Sequence, residues 1–138
     1  MEWTKDHYRV SDDKDELDLF YIKTALDESY WAAGRPREVI EESIRNSVCL
    51  GLYNGERQIG FARAVTDSCT FAWICDVMVH KDYRGAGLGK LLMRCLEEHP
   101  DVAPCRQHLL RTRDAHGLYE QFGYHVCEAM NKRLGEGD

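Results

Sequence analysis

The sequence predicts a single α/β domain in which one mixed, mostly antiparallel central sheet is flanked by helices on both faces. Three observations lead to this fold class. Asn54-Gly55 is a hairpin signal, an apolar strand at 70–79 runs into a Gly-rich turn and a helix, and a strand–helix–strand crossover begins at residue 107. The 138 residues contain no repeat or linker, so we place one domain at 1–134 and a frayed tail at 135–138.

The first half of the chain predicts a short strand, two helices and a hairpin. Asp13, with Glu16 three residues later, resembles a capping box that opens a helix ending near Ser29, and Pro36 suits the first position of a second helix. The predicted strands are 7–10, 48–53 and 58–66. The residues expected to face inward are Leu17, Phe20, Tyr21 and Ala25 on the first helix and Val39, Ile40 and Ile44 on the second.

The second half predicts the centre of the sheet and the helix that covers it. Residues 70–79 are almost wholly apolar, which is typical of a strand covered on both faces. Apolar residues from Leu88 to Leu96 fall at helical spacing, and Pro100 marks the latest point at which this helix can end. The remaining predicted elements are a strand at 107–111, a helix at 115–122 and one or more closing strands within 124–133.

Charge and composition argue against several classes of protein. The 18 Lys and Arg against 24 Asp and Glu leave a net charge of −6, which disfavours nucleic acid and would suit a cationic amine better. No apolar run approaches the roughly 20 residues of a membrane helix. Residues 1–9 lack the pattern of a signal peptide. We therefore expect a cytoplasmic protein with no membrane association.

The cysteines and histidines show no metal-binding pattern. The six cysteines stand singly and are expected to be buried thiols in a reducing compartment. The histidines at 80, 99, 108 and 125 have no ligand spacing either, so no metal is expected. The sequence leaves the oligomeric state open, with a homodimer as one alternative.

Residues 84–90, Arg-Gly-Ala-Gly-Leu-Gly-Lys, form the Gly-rich turn between the apolar strand and the Leu-rich helix. Three glycines on alternate positions let the backbone approach a bulky anion, and the first N–H groups of the helix point at that anion. Arg84 and Lys90 can add charge-assisted contacts. A diphosphate fits this pattern.

Two better-known phosphate loops do not fit the spacing. A Walker A loop needs Gly at position 84 and Ser or Thr at position 91, where the chain has Arg84 and Leu91. The dinucleotide fingerprint needs a third glycine three residues after Gly87, where the chain has Lys90. Neither a P-loop nor a Rossmann site is predicted.

The turn resembles the Arg-x-x-Gly-x-Gly signature of the GCN5-related N-acetyltransferase (GNAT) family. Residues 115–124 are similar to that family's Ala-x-x-x-Tyr-x-x-x-Gly-Phe motif, and the resemblance spans residues 70–124. It implies an acyl-CoA N-acyltransferase fold in which the strands at 70–79 and 107–111 splay to open a wedge for pantetheine. The implied donor is acetyl-CoA, as a cosubstrate, and the implied acceptor is a primary amine of a small molecule or peptide.

The resemblance also implies which residues bind the donor. The backbone of Met78 and Val79 would line the wedge, with a main-chain N–H near Val79 polarising the thioester carbonyl. The implied donor-binding residues are Met78, Val79, Arg84, Gly85, Ala86, Gly87, Leu88, Gly89, Lys90, Thr112, His116 and Tyr119. Thr112 stands where many relatives have Asn, and His116 could equally be a surface residue.

Tyr119 and Asp76 are the candidate catalytic residues. Tyr119 stands at the family's tyrosine position and could protonate the departing thiolate, with aromatic packing as the alternative role. Trp73 stands where some relatives carry a glutamate. Asp76 lies within the apolar run, where a raised pKa would let it take the proton of the amine. The alternatives are a structural ion pair of Asp76 with an arginine such as Arg63, or a water relay.

Acceptor recognition is expected mainly from the early part of the chain. The candidate substrate-binding residues are Tyr30, Trp31, Arg35, Arg63 and Trp73. Tyr30 and Trp31 would form an aromatic wall, although core packing is the commoner role of such residues. The rival to an enzyme is a non-catalytic acyl-CoA-binding or sensing module, which would keep residues 84–89 yet tolerate loss of Tyr119 and Asp76.

Overall fold

The hairpin at Asn54-Gly55 lies in the middle of a six-stranded sheet in the computed structural model, which describes residues 1–135. Gly55 has a φ of 64°, a left-handed conformation that suits this tight turn. The strands are β1 (Glu2–Lys5), β2 (Tyr8–Ser11), β3 (Val48–Asn54), β4 (Arg57–Thr66), β5 (Phe71–Val79) and β6 (Gln107–Leu110). They pair in chain order, antiparallel except for the parallel pair of β5 with β6.

Helices cover both faces of this sheet. They are α1 (Leu19–Asp27), α2 (Arg37–Arg45), α3 (Leu88–Glu98) and α4 (His116–Glu120). On one face, Leu92 of α3 lies in a buried cluster with Leu50 of β3. On the other face, Ile22 of α1 and Ile40 of α2 share a cluster with Phe61 of β4. The predicted mixed, mostly antiparallel sheet with helices on both faces is confirmed.

The first helix begins later than the capping-box pattern predicts. Asp13 accepts a hydrogen bond from the N–H of Asp15 at 2.9 Å and caps only a 3-10 turn, Lys14–Glu16. Asp18 caps α1 instead, because its carboxylate accepts the N–H of Tyr21 at 3.1 Å. Glu16, the second residue of the predicted capping box, therefore belongs to this separate turn and not to α1.

Two side chains that were expected in the core lie at the surface. On α1, Ile22 and Leu26 are one turn apart and buried, which leaves Phe20 on the opposite side of the helix, 80% exposed. On α2, Ile40 faces the core and its neighbour Val39 is 48% exposed. Among the apolar residues predicted to be helical and to face inward, Leu17 lies before α1, and Phe20 and Val39 face solvent.

Two strand predictions also differ from the structure. β1 was not predicted, because its residues are polar and mostly exposed and show no strand pattern. Pairing with β2 holds these residues in an extended conformation. The closing strand expected within 124–133 is wrong, since these residues form neither strand nor helix. Glu128 interrupts the apolar face between Val126 and Met130, so pairing there would bury little. Of the tail expected to fray, only Gly135 lies within the described residues.

The cysteines are not uniformly buried as expected. Cys49, Cys95 and Cys105 are buried, whereas Cys75 is half-buried and Cys69 and Cys127 are exposed. The exposed pair lies in a turn and in the irregular C-terminal segment, where no sheet or helix covers a side chain.

A β-bulge at Asp76 divides β5 into two parts. Arg63 lies opposite Cys75 and Phe61 opposite Met78, so β5 has one extra residue between these pairs. Asp76 takes a φ of 55°, which Asp tolerates better than most residues. The extra residue shifts the alternation of side chains, so even-numbered residues before the bulge face α3, whereas Met78 faces α1 and α2.

Candidate active site

Strands β5 and β6 separate midway along β5. They pair from Phe71 and Gln107 to Ile74 and Leu110, and β5 then continues to Val79 without β6 beside it. The gap opens into a cavity of about 1610 Å³. A site for one small ligand usually has roughly 300–1,000 Å³, so this cavity has room for two ligands that meet. The predicted wedge is present.

One end of the cavity, the donor end, is formed by the Gly-rich turn and the start of α3. Gly85 and Gly87 have φ values of 87° and 76°, a conformation that residues with a Cβ rarely adopt. The helical hydrogen bonds of α3 begin with the N–H of Leu91, which donates to Gly87 at 3.1 Å. The amides just before Leu91 therefore have no partner within the helix. A Cβ added at Gly89 would meet no atom within 4 Å, so the space in front of these amides is open.

Arg84 fastens this turn to the end of β5. Its Nε donates to the carbonyl of Val79 at 3.1 Å, and the N–H of His80 donates to Ile59 of β4 at 2.7 Å. Arg84 and Lys90 both line the cavity. Free backbone donors, open space and two cations fit a pyrophosphate group, which needs many donors and positive charge.

The wall of the cavity is basic although the chain is acidic. The basic residues of the wall are Arg35, Arg63, Arg84, Lys90, Arg111, Arg113 and Arg133. Within residues 1–135, its acidic residues are Asp76 and Asp114. The chain as a whole carries −6, so positive charge is concentrated where ligands would enter. The net charge of the whole chain therefore does not describe the charge of this wall.

The other end of the cavity, the acceptor end, is organised around Asp76. Its carboxylate accepts hydrogen bonds from Trp31 Nε1 at 2.9 Å, Arg35 Nη1 at 3.0 Å and Arg63 Nε at 2.9 Å. The Asp76 side chain is 2% exposed. Arg63 also donates through Nη1 to Ser47 Oγ at 3.0 Å. The bulge in β5 thus places one carboxylate where three side chains from other parts of the fold can meet it.

The pKa of Asp76 is lowered, and the expectation of a raised pKa is wrong. Burial by itself would raise the pKa of this carboxyl, but the charges of Arg63 and Arg35 and the hydrogen bond from Trp31 outweigh burial. The ion pair with Arg63, which the sequence offered as an alternative role, is what the structure contains. Asp76 is therefore ionised at neutral pH, and both of its carboxylate oxygens accept hydrogen bonds.

Tyr30 and Trp31 line the cavity and are not packed in the core. Their exposed fractions are 50% and 41%, and their rings meet edge to face with centroids 5.1 Å apart. The Tyr30 hydroxyl accepts the N–H of Arg113 at 3.1 Å, and the Arg113 guanidinium lies 3.7 Å above the Tyr30 ring. This contact joins the loop between α1 and α2 to the loop before α4, across the cavity.

Tyr119 lies on α4 and also lines the cavity. Its ring packs edge to face on Tyr124, with centroids 6.0 Å apart. Burial, together with the smaller influence of Tyr30 and Asp114, raises the pKa of Tyr119 above its usual value of 10.0. The phenol is thus protonated at neutral pH.

Comparison with known proteins agrees with this geometry. The family model of the GNAT acetyltransferase domain matches residues 45–126. A solved structure of a candidate GNAT acetyltransferase from Xanthomonas campestris pv. campestris is 34% identical, has a TM-score of 0.89 and covers 95% of this chain and 96% of that one. The chain belongs to the GNAT acetyltransferase family. A candidate acetyltransferase from Gibberella zeae is 30% identical over 85% of this chain and 78% of its own length.

Solved structures of lower sequence identity show a shared fold alone. Glucosamine-6-phosphate N-acetyltransferase from Arabidopsis thaliana is 15% identical, with a TM-score of 0.69 over 94% of this chain and 99% of that one. The family model and the structure from Xanthomonas campestris confirm the family resemblance stated from the two motifs, whereas the acceptor of any one relative does not carry over.

Most residues predicted for the GNAT site do line the cavity. These are Tyr30, Trp31, Arg35, Arg63, Trp73, Asp76, Met78, Val79, Arg84, Gly85, Gly87, Leu88, Gly89, Lys90, Thr112 and Tyr119. Thr112 uses its hydroxyl to accept the N–H of Ala115 at 2.9 Å, which shapes the start of α4. Ala86 and His116 are absent from the wall, and His116 is exposed, which fits its interpretation as a surface residue.

Three further residues that line the cavity were not among the residues predicted from the sequence. Cys75 lies beside the bulge, and Arg111 and Arg113 come directly after β6. The sequence did contain a signal for Arg111 and Arg113, because they lie at and just after the end of the strand predicted at 107–111. The wedge was expected to open beside this strand. Within residues 1–135 no group of His, Cys, Asp and Glu could hold a metal ion. No helix in this range is long and apolar enough to cross a membrane.

Proposed function

We propose that this protein transfers the acetyl group of acetyl-CoA to a primary amine of a small molecule or peptide, by direct attack of the amine on the thioester. The observation that carries the proposal is the cavity between β5 and β6, which has an anion cradle at one end and a polar, aromatic cluster at the other. Membership of the GNAT family supports the same class of reaction.

Backbone groups would hold most of the donor. The amides from Gly85 to Lys90 would bind the pyrophosphate, with Arg84 and Lys90 adding charge. The edge of β5 beyond Ile74 has no strand beside it and would pair with the amide groups of the pantetheine arm, as an edge strand pairs with an extended peptide. When bound, acetyl-CoA supplies the activated acetyl group. A main-chain N–H near Val79 would then stabilise negative charge on the carbonyl oxygen.

Tyr119 would protonate the departing thiolate. Its raised pKa keeps the phenol protonated, and its hydroxyl makes no hydrogen bond to any other residue in the described part of the chain. Asp76 is poorly suited to be the general base, because its pKa is lowered and its oxygens are held by three donors. We assign Asp76 the role of a positioning residue for Arg35 and Arg63, and propose that water removes the proton of the amine.

A covalent acetyl-enzyme is disfavoured by the state of the cysteine in the wall. Burial raises the pKa of Cys75 to about 11, with Arg63 opposing and Asp76 adding to this effect. A thiol with this pKa is almost entirely protonated at neutral pH and is a weak nucleophile. The amine itself therefore remains the attacking group.

The proposal is tested by mixing the purified protein with acetyl-CoA and a panel of primary amines. Release of free thiol is followed over time, and the acetylated amine is identified by mass spectrometry. We expect thiol release that depends on both the protein and one class of amine, with one acetylated amine for each CoA released.

Two other results would contradict the proposal in different ways. Binding of acetyl-CoA without thiol release, with every amine tried, would support the non-catalytic acyl-CoA-binding module. Failure to bind acetyl-CoA at all would remove both the enzyme and the module.

A further inference from the structure

The acceptor end of the cavity carries a net positive charge in its side chains. Arg35, Arg63 and Asp76 form one connected cluster, in which two guanidiniums share a single carboxylate oxygen, Asp76 Oδ2. The only other acidic residue in the described wall is Asp114, on the loop before α4. Two cations against one anion leave the cluster with an excess of one positive charge.

Arg35 has hydrogen-bonding capacity to spare. A guanidinium has five N–H donors. Within residues 1–135, Arg35 uses its Nη1 on Asp76 and makes no other side-chain hydrogen bond, while its side chain stays 23% exposed in the cavity wall. Arg63 is more completely engaged, since it bonds both Asp76 and Ser47.

Arg35 is also held in place before any ligand arrives. Its N–H donates to the carbonyl of Ala32 at 3.1 Å, and its own carbonyl accepts from Lys23 Nζ at 3.0 Å. The ion pair with Asp76 fixes the guanidinium, and Pro36 restricts the adjoining backbone. A pre-organised cation loses little side-chain entropy when it binds a ligand.

We propose that the acceptor of this protein is a primary amine that carries an anionic group, a carboxylate or a phosphate, and that Arg35 binds this group with support from Arg63. The proposal deepens the proposed function and rests on it, since it names the substrate class of the same cavity. A polyamine or a lysine-rich peptide would bring further positive charge to a cluster whose one carboxylate is already shared by two arginines.

The test measures the binding of matched amines to the protein saturated with CoA, by calorimetry. Phenylalanine is compared with 2-phenylethylamine for the carboxylate, and O-phosphoethanolamine with ethanolamine for the phosphate. Spermidine is the polycation.

We expect at least one anionic member to bind about 10-fold more tightly than its partner, because charge-assisted hydrogen bonds to arginine are strong. The pair that shows the difference identifies the anionic group. Equal or tighter binding of the partners that lack the anionic group, or of spermidine, would overturn the proposal, as would failure of both anionic amines to bind.

Substitutions then assign the preference to Arg35. In Arg35→Gln, the anionic amine should bind no more than about twofold more tightly than its matched partner. Arg35→Lys should keep part of the difference in affinity, because a lysine keeps the charge but not the fork geometry. Arg37→Gln is the matched control, since Arg37 is exposed on α2 and pairs with Glu41 outside the cavity. CoA affinity and circular dichroism check that each variant folds. An unchanged preference in Arg35→Gln would overturn the assignment.

The same amines followed for thiol release separate this inference from the proposed function. Preferential binding of an anionic amine without any thiol release contradicts the acetyl transfer but leaves the anion site supported. Thiol release that is fastest with spermidine or with the amines that lack an anionic group supports the transfer and contradicts the anion site.

Discussion

The donor end and the acceptor end of the cavity use different parts of the polypeptide. The donor end consists of consecutive residues, 84–90, and acts through backbone N–H groups, glycine conformations and open space. The acceptor end joins side chains from the loop after α1, from β4 and from the bulge in β5. In the proposed reaction, backbone geometry would hold a donor that many enzymes share, whereas side chains from distant segments would select the acceptor.

Substitutions at the two ends should therefore have separable effects. Changes at the acceptor end should alter stability and the choice of amine, whereas changes at the donor end should alter affinity for acetyl-CoA. Substitution of Tyr119, which lies where the two ligands would meet, should alter turnover alone.

The largest effect is expected for Asp76→Asn, on stability. Removing the shared carboxylate charge leaves two guanidiniums without their anion, and we expect the free energy of unfolding to fall by about 3 kcal/mol at pH 7. Asn tolerates the φ of 55°, so the bulge itself is preserved. Urea denaturation measures the loss, and CoA affinity should stay within about twofold if the two ends are independent.

The pH dependence of this loss has a defined sign. Because the pKa of folded Asp76 lies below the ordinary value of 3.8, its ionised form stabilises the protein above that value. The stabilisation is lost as the pH falls through the pKa of the folded state, so the difference between wild type and Asp76→Asn should narrow below about pH 4. A constant difference from pH 7 to pH 3 would contradict the ion pair.

Tyr119→Phe should affect turnover at the junction of the two ends. Loss of the proton donor is expected to lower kcat by about 100-fold, or about 2.7 kcal/mol. Affinity for acetyl-CoA, measured by calorimetry, should change by less than about twofold, because the ring still fills its place beside Tyr124. Tyr8→Phe, on β2 and outside the cavity wall, is the matched control. An unchanged kcat would remove Tyr119 from the mechanism.

Arg84→Glu should weaken the donor end by reversing a charge beside the pyrophosphate. We expect the Kd for CoA to rise about 30-fold, or about 2 kcal/mol. Arg94→Glu makes the same change on the exposed side of α3, outside the cavity wall, and should leave the Kd nearly unchanged. Equal effects of the two substitutions would mean that overall charge, and not the cradle, determines affinity.

The smallest effects are expected for Gly89→Ala, which should change stability and CoA affinity in opposite directions. An added Cβ meets no protein atom, and Ala is a better helix former than Gly, so Gly89→Ala should raise the free energy of unfolding by about 0.5–1 kcal/mol. The same methyl group would enter the space of the pyrophosphate and raise the Kd for CoA about 10-fold, or about 1.4 kcal/mol. Calorimetry and urea denaturation measure the two changes. A stabilised variant with unaltered affinity would show that this space is not used.

The same contrast explains what could be predicted from the sequence. The hairpin, the apolar strand, α3 and the Gly-rich turn depend on residues close together in the chain, and they were predicted. The direction of the Asp76 pKa shift depends on Arg35 and Arg63, whose arrival at one carboxylate is decided by the bulge and by the packing of the loop after α1. Phe20 was misplaced because Ile22 and Leu26 are the residues of α1 that face the sheet, and that choice of face depends on tertiary packing.

The central claim, that one cavity holds both ligands for direct transfer, is tested most directly by initial-rate kinetics. Rates are measured over a grid of acetyl-CoA concentrations and concentrations of the best amine found in the panel. Direct attack requires both ligands to be bound together, so double-reciprocal plots should intersect. Parallel lines, together with release of CoA in the absence of amine, would indicate an acetyl-enzyme and contradict the account.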